Sequence, residues 1–513
     1  MTQREGFLDR CIGFALGASL IMTLVGCAGD AMPSRSATPA HTRAGESPAQ
    51  AVHVPPPLHP TPTTPPSDTD AALAPPSSAD ADDLELPAPK KPIPPKPLPT
   101  IPSSEPIVAV KIGSQPASQS VTLSSPSSML LVSTATSEAG AANSTSGATP
   151  ASAGIVDAWR VRGPLEIQAN KNGWSVKDAR GGSSRNFAPC ELVVRGVGEE
   201  PIVWNNTKWP GTLRLVVDPE SGGGKREPRI DLVVDVGIEE YLPGVIAKEL
   251  YANWNLETFR AQAIAARSYA VVEEDRWNGR RHWDMVAGQQ SQAWAGETTN
   301  ERAIEAVRST RGQVLASDGR VVPAYYSAAC GGRPASAIGT LTDNPYHDIA
   351  PVSAGRVGQR QGRCCQAASV ATWKVTIPLA SVRARLQAWG KLNARTDLAS
   401  IEVPTAITVG DRNAAGRAVD LVVRTAHGAV EIAAEDFRWA MNAPRDRATT
   451  LKSGDIEVKV SKSAGTAEIS GRGFGHGVGL CQHGAQAMAK SGASAKKILD
   501  RYYPGASIVR GWN

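Results

Sequence analysis

The sequence has no concentration of charge of either sign. Its 54 lysine and arginine residues and 49 aspartate and glutamate residues leave a formal net charge of +5. Charged residues of both signs are scattered along the chain and do not form the basic stripe that nucleic-acid-binding domains present. A nucleic-acid partner is therefore not expected.

The N-terminal region lacks an apolar run long enough for a membrane-spanning helix, which needs about 20 residues. Its run at residues 12–25 follows Arg4 and Arg10 and leads into Gly26 and Cys27, the layout of a secretory signal. The order Leu-Val-Gly-Cys resembles a bacterial lipobox and predicts a signal peptide ending at Gly26, with lipidation of Cys27. An uncleaved signal anchor is the alternative. Both predict export, and lipidation predicts attachment to the cell envelope, at the outer membrane or its periplasmic face if the cell has two membranes.

Aromatic side chains are missing from residues 28–154, a stretch rich in Pro, Ser, Thr and Ala. Such a composition buries too little apolar surface to offset the entropy lost on ordering. We therefore predict a disordered, lipid-anchored spacer over residues 27–152, interrupted by one weak strand candidate at residues 106–112. The folded domain is expected to be residues 153–513.

From residue 155 onward, short alternating apolar segments separated by glycine predict β-strands, as at residues 190–195 and 211–217. The strongest helix is predicted over residues 256–277, with Asn255 as its N-cap and an alanine-rich apolar stripe. Further elements are predicted as helices at residues 301–310, 482–490 and 495–503 and as strands at residues 230–236, 314–316, 321–326, 373–377 and 420–423. Because strands and helices do not alternate strictly, the predicted fold class is α+β, with short antiparallel strands and a few helices.

Three segments carry a family resemblance when they occur in this order. They are Glu240-Tyr-Leu-Pro-Gly-Val-Ile-Ala-Lys-Glu249-Leu with Arg260-Ala-Gln-Ala-Ile-Ala-Ala-Arg267-Ser-Tyr269-Ala, then Tyr325-Tyr-Ser-Ala-Ala-Cys330-Gly-Gly-Arg, and last Gly471-Arg-Gly-Phe-Gly-His476-Gly-Val-Gly-Leu-Cys481-Gln482-His-Gly-Ala. Together they resemble the SpoIID/LytB family of peptidoglycan-cleaving lytic transglycosylases over most of residues 201–510. The resemblance implies a SpoIID-like domain that cleaves the β-1,4 bond between N-acetylmuramic acid and N-acetylglucosamine, with a preference for strands that lack stem peptides.

Glu249 matches the catalytic glutamate of that family. Its neighbours Val245, Ile246 and Leu250 are apolar, and apolar surroundings raise the pKa of a carboxyl group and keep it protonated as an acid. Ordinary glycosidases need two carboxylates, and no obvious second one is present, although Asp284 is available. A lytic transglycosylase needs one, because the C6 hydroxyl of the substrate itself attacks C1. A surface glutamate without catalytic role is the alternative.

Three further residues are candidates for substrate binding. His476 lies between two glycines, where it could contact glycan, orient Glu249 or hydrogen-bond a strand end. Gln482 offers both a donor and an acceptor for an N-acetyl group or a sugar hydroxyl. Arg267 falls in the middle of an alanine-rich helix, where an unpaired charge is costly, so it is expected to pair with a carboxylate.

The cysteines leave two alternatives open. Of the seven, Cys11 would leave with the signal and Cys27 would be acylated, so an odd number would remain. Relatives in this family hold zinc near the Cys-Gly-Gly turn, and Cys330, Cys365 and Cys481 are the candidate ligands here. A disulfide between Cys330 and Cys365 is favoured over zinc because the compartment is oxidising, and buried thiols come third. No cofactor is expected to be required.

Two other functions compete with the enzyme. LytB-type relatives resemble modifiers of wall amidases, so the domain could bind peptidoglycan and act on an amidase partner without cleaving glycan. A passive wall anchor is the third possibility, but it would not need the three motif segments.

Overall fold

The computed structural model describes residues 95–135, 155–218, 227–288, 290–342, 344–349, 365, 371–443 and 447–513. The predicted signal peptide and Cys27 lie outside these residues. Helices and short strands are mixed in the described part, which confirms the α+β class. None of the helices in these ranges has the length and apolar character needed to cross a membrane.

Strands outnumber helices in the described ranges. The strands are β1 (Ile107–Pro116), β2 (Val121–Leu123), β3 (Met129–Ala135), β4 (Ile155–Arg162), β5 (Leu165–Asn170), β6 (Gly173–Asp178), β7 (Ser184–Phe187), β8 (Leu192–Gly196), β9 (Ile202–Trp204), β10 (Thr207–Trp209), β11 (Thr212–Asp218), β12 (Arg229–Gly237), β13 (Met285–Val286), β14 (Gln313–Ser317), β15 (Arg320–Val321), β16 (Tyr326–Ser327), β17 (Thr372–Pro378), β18 (Ala406–Val409), β19 (Asp420–Arg424), β20 (Ala429–Ala433), β21 (Ile456–Ser461), β22 (Thr466–Arg472), β23 (Leu480–Cys481) and β24 (Ser507–Arg510). The helices are α1 (Ile238–Glu249), α2 (Leu256–Trp277), α3 (Glu301–Ser309), α4 (Leu379–Leu392), α5 (Thr396–Ala399), α6 (Ala434–Asn442), α7 (Gln482–Lys490) and α8 (Ala495–Tyr502).

The largest sheet has seven strands in the order β13-β1-β12-β11-β8-β3-β4. Strand β12 is third in this order, and its residues Ile230, Leu232 and Val234 are almost fully buried. Antiparallel pairing joins β12 to β1 on one side and to β11 on the other. A separate four-stranded sheet, β2-β5-β6-β7, shares the same hydrophobic core.

The prediction that the spacer extends to residue 152 is wrong for residues 95–135. Strand β1 pairs with β12 along its length, and β3 lies between β8 and β4 within the main sheet. Val108, Val110, Leu130 and Val132 are all completely buried there. Branched aliphatic residues alternate in these strands and pack well on a pleated sheet, so the lack of aromatics did not prevent folding.

Helix α2 begins and ends where the sequence predicted. Helix α2 covers Leu256–Trp277, and the Asn255 side chain caps it by accepting a hydrogen bond from the N–H of Glu257. One face of α2, which includes Phe259 and Ala263, packs in the core of the main sheet. Another face, which includes Ile264, packs in a second core with α7 and α8. Small alanine side chains allow both layers to approach α2 closely.

Residues 372–472 form a further core between two of the motif segments. Two three-stranded sheets, β17-β22-β21 and β18-β19-β20, bury their apolar side chains together with α4 and α6. The strand β22 ends at Arg472, where the glycine-rich motif begins. This region therefore leads directly into the loop that carries His476.

Candidate active site

Glu249 is the last residue of α1, which begins directly after the buried strand β12. The helix ends there because Leu250 adopts an extended conformation, with φ −121° and ψ 149°. The chain then turns through residues 250–255 into α2. Glu249 is thus held at the junction of two buried helices, and its side chain keeps part of its surface open to solvent.

Two hydrogen bonds fix the carboxyl group of Glu249. The backbone N–H of Ala293 donates to Oε1 over 3.2 Å, and the side-chain Nε2 of Gln482 donates to Oε2 over 3.1 Å. Among the described residues, no other carboxylate hydrogen-bonds to Glu249. These two hydrogen bonds orient one carboxyl group at this position.

Burial raises the pKa of Glu249, and the hydrogen bonds from Gln482 and Ala293 oppose that shift. The net direction favours the protonated acid relative to an exposed glutamate. Tyr241 and Tyr326 also have pKa values raised well above normal, first by their own burial and second by the negative charge of Glu249. Their hydroxyl groups therefore stay neutral beside the acid.

Gln482 occupies a different place from the one predicted for it. It is the first residue of α7, its side chain is buried, and it contacts Glu249 instead of facing an open cleft. One turn later, the side-chain Oε1 of Gln486 accepts hydrogen bonds from the backbone N–H of Asn255 and the hydroxyl of Thr258. Helix α7 is therefore fastened to both ends of the turn that follows Glu249.

His476 supports the backbone of the glycine-rich loop. Its Nε2 lies 2.8 Å from the carbonyl oxygen of Tyr326, and its Nδ1 accepts a hydrogen bond from the N–H of Val478. Burial lowers the pKa of His476 to about 4, so the ring is neutral at physiological pH. Both ring nitrogens bind backbone groups, which is the strand-end alternative; the role of His476 in substrate binding stays a prediction.

Comparison with known proteins finds similarity in the part of the chain that contains Glu249. Residues 226–316, which include Glu249 and α2, match the family model described as "Stage II sporulation protein" (SpoIID). The Stage II sporulation protein D of Bacillus subtilis is 26% identical over 298 residues, which are 54% of this chain and 75% of the relative. These matches support a SpoIID family assignment for this segment.

Two more relatives are similar to about half of this chain. An uncharacterized protein of Brachyspira hyodysenteriae is 29% identical over 283 residues, covering 54% of this chain and 68% of the relative. The protein named "Amidase enhancer" of Bacillus subtilis is 28% identical over 296 residues, covering 52% of this chain and only 40% of that relative. Residues 356–479 match a second family model, described as a domain of unknown function (DUF8618).

Arg267, which lies in the matched segment 226–316, is enclosed by protein groups. Its guanidinium is fully buried and binds both carboxylate oxygens of Glu239, over 2.9 and 2.8 Å. It also donates to the carbonyl of Gln313, while Trp512 donates to Oε1 of Glu239. The expected carboxylate partner is confirmed, but the assignment of Arg267 to substrate binding is wrong because the side chain has no access to solvent.

Three buried cysteines meet beneath the glycine-rich loop. The Sγ atoms of Cys330, Cys365 and Cys481 all lie within 4.8 Å of one another, and those of Cys330 and Cys365 are 3.9 Å apart. A disulfide needs about 2.05 Å, so the structure does not contain the favoured Cys330–Cys365 bond. Tetrahedral zinc with Zn–S bonds of about 2.3 Å separates its sulfur ligands by about 3.8 Å. The 3.9 Å between the Cys330 and Cys365 sulfurs is close to that separation, and Cys481 supplies a third sulfur within 4.8 Å of both.

Asp284, the predicted alternative acid, is held by the edge of the main sheet. Its Oδ2 accepts a hydrogen bond of 2.8 Å from the N–H of Ala109 in β1. Burial raises its pKa to about 8, yet it makes no hydrogen bond to Glu249 or Gln482. The contact from Ala293 to Glu249 was missed by sequence reasoning, because a backbone N–H gives no side-chain signal.

Proposed function

We propose that this protein is a lytic transglycosylase that cleaves the β-1,4 bond between N-acetylmuramic acid and N-acetylglucosamine in peptidoglycan. The observation that carries the proposal is the carboxyl group of the half-buried Glu249, whose pKa is raised by burial and whose two oxygens are oriented by Ala293 and Gln482. A reaction that uses one carboxyl group as acid and then as base suits such a site.

The chemistry needs no second protein carboxylate. Protonated Glu249 gives its proton to the glycosidic oxygen as the bond from that oxygen to C1 of N-acetylmuramic acid breaks. The C6 hydroxyl of the same sugar then attacks C1, and the Glu249 carboxylate takes the proton of that hydroxyl. The products are a 1,6-anhydro end and a free C4 hydroxyl, no water is consumed, and Glu249 is protonated again.

The structural neighbours of Glu249 support both halves of this cycle. Hydrogen bonds from Gln482 and Ala293 stabilise the carboxylate formed after the first step, since hydrogen bonds to the charged form favour it. Burial has the opposite effect, because it raises the pKa of Glu249 and so favours the protonated form. The two effects keep the acid and base forms closer in free energy than burial alone would, as an alternating acid and base requires.

Mass spectrometry of purified glycan strands, incubated with the protein and with its Glu249→Gln variant, tests the proposal. We expect 1,6-anhydro ends from the wild type, more from strands stripped of stem peptides, and almost none from the variant. Ordinary reducing ends would indicate hydrolysis and would contradict the proposed reaction.

A second candidate function is a non-catalytic, peptidoglycan-binding modifier of a wall amidase. The similarity to the Bacillus subtilis protein named "Amidase enhancer" favours it. It predicts no anhydro product from the wild type and equal stimulation of a wall amidase by wild type and Glu249→Gln. Measuring both outputs on one glycan preparation separates the two functions.

Zinc bound by Cys330, Cys365 and Cys481 is part of the proposal, as a structural ion. The three thiolates would tie β16 and β23 to Cys365, because Cys330 follows β16 and Cys481 ends β23. Metal analysis of the purified protein tests this, with Cys365→Ser as the variant. Absence of bound zinc after purification in zinc-containing buffer would contradict it.

A further inference from the structure

Three aromatic side chains cluster beside Glu249. Tyr251 and Trp254 lie in the turn between α1 and α2, and His483 follows Gln482 in α7. The ring centroids of Trp254 and His483 are 5.0 Å apart at 70°, those of Tyr251 and Trp254 are 5.3 Å apart, and those of Tyr251 and His483 are 6.3 Å apart. All three side chains are partly exposed. We call this set the aromatic cluster.

The backbone beneath the aromatic cluster is held in place. The N–H of Trp254 donates to the carbonyl of Tyr251 over 3.0 Å, which closes the turn. The N–H of His483 donates to the carbonyl of Ala328, and Gln486 binds the N–H of Asn255. A surface fixed in this way loses little conformational entropy when a ligand binds.

The cluster is tied to the reacting group from both sides. Tyr251 comes two residues after Glu249, while His483 comes one residue after Gln482, which hydrogen-bonds Glu249. The aromatic cluster is therefore built on the same two segments that position the Glu249 carboxyl group. The aromatic cluster contains no carboxylate, lysine or arginine, so it has no permanently charged group that would demand an ionic ligand.

We propose that the aromatic cluster is the subsite for the pyranose ring of an N-acetylhexosamine next to the bond that Glu249 cleaves. This inference rests on the proposed function. Rigid aromatic rings offer apolar area at low entropic cost for the C–H-rich face of a sugar, and the tyrosine hydroxyl and imidazole can hydrogen-bond its hydroxyl or acetamido groups.

Binding in a non-cleaving background tests the subsite. The full chain carrying Glu249→Gln is titrated by calorimetry with the tetramer of N-acetylglucosamine and with purified, peptide-free glycan strands. Adding Trp254→Ala is expected to weaken binding of both probes by at least about tenfold, whereas Trp254→Phe retains a ring and recovers most of the affinity. The matched control is Trp439→Ala, because Trp439 is a partly exposed tryptophan on α6, with 38% of its surface accessible.

Trp254 also contacts the hydrophobic core, so His483→Ala provides a second variant with less effect on packing. Its binding is expected to fall by about threefold or more, with an unchanged thermal midpoint. Equal affinities of the Trp254→Ala, His483→Ala and Trp439→Ala proteins for both probes would overturn the subsite, whatever the wild type does to glycan.

The two proposals fail in different ways. If the wild type releases no anhydro ends while the Trp254→Ala variant loses sugar binding, the cleavage reaction is wrong and the subsite stands. If the wild type releases anhydro ends and the Trp254→Ala protein, in the wild-type background, retains the parent KM and kcat, the reaction stands and the subsite is wrong. A higher KM with a nearly unchanged kcat supports both.

Discussion

The side-chain Nε2 of Gln482 donates a hydrogen bond of 3.1 Å to Oε2 of Glu249, although 233 positions separate the two residues in the chain. This contact joins the first motif segment to the last. It also links the orientation and the proton affinity of the proposed acid to a residue at the start of α7.

Replacing Glu249 by glutamine keeps the shape of the side chain and removes the transferable proton. We expect the rate of anhydro-end formation to fall by roughly 100-fold to 10,000-fold, or about 2.7 to 5.4 kcal/mol of barrier. Thermal unfolding should change little. An equally fast variant would show that the acid lies elsewhere, and Asp284→Asn would then be the next substitution to measure.

Removing the hydrogen bond of Gln482 with Gln482→Leu should raise the pKa of Glu249 further, because that bond lowers it. A group that must be protonated loses activity as the pH rises through its pKa, so the alkaline limb of the kcat/KM profile should move to higher pH. The maximum rate should also fall, since the carboxyl group is less well oriented. A pH profile identical to that of the wild type would contradict the contact. Gln387→Leu serves as the control, because Gln387 lies on α4 and donates to the carbonyl of Ile401 in the core of residues 372–472.

Two N-terminal truncations, one ending before β1 and the other ending after β3, should have opposite effects on the stability of the domain. A fragment starting at residue 95 retains every described element and should unfold cooperatively. A fragment starting at residue 155 loses β1, β2 and β3, whose fully buried residues are Val108, Val110, Val121, Leu123, Leu130 and Val132. At about 1.5 to 3 kcal/mol each, these side chains contribute as much as the whole stability of a typical domain. Denaturant unfolding of the two fragments checks this; equal midpoints would show that the three strands are dispensable.

The buried pair of Arg267 and Glu239 should be sensitive to loss of one partner. Arg267→Met leaves the Glu239 carboxylate uncompensated in the core, which typically costs about 3 to 5 kcal/mol. Adding Glu239→Gln should recover part of that loss, because the second substitution removes the buried charge. The free energy of unfolding in urea measures both effects. A double variant no more stable than Arg267→Met alone would argue against a charge effect.

Lipidation of Cys27, which lies outside the described residues, predicts that Cys27→Ser releases the protein from the membrane fraction, since the lipid-bearing thiol is lost. Fractionation of cells that express each form, followed by mass measurement of the N-terminal peptide, checks it. A serine variant that is processed at residue 26 and remains fully membrane-bound would disprove the anchor.

Local sequence signals were enough for the elements that depend on neighbouring residues. The 3.6-residue periodicity of α2 and the capping side chain of Asn255 fixed that helix at both ends. The order of the three motif segments pointed to Glu249 and to the SpoIID family. These signals hold because helix formation and capping involve residues within a few positions of each other.

Only the tertiary structure decided which distant groups meet. The spacer composition gave no sign that β1 would pair with β12, because strand pairing over more than 100 positions leaves no local periodicity that identifies the partner. Likewise, the sequence predicted a carboxylate for Arg267 but could not name Glu239, and it assigned Gln482 to substrate when packing of α7 on the α1–α2 turn directs it to Glu249. The 3.9 Å between Cys330 and Cys365, too long for a disulfide, was set by the same long-range packing.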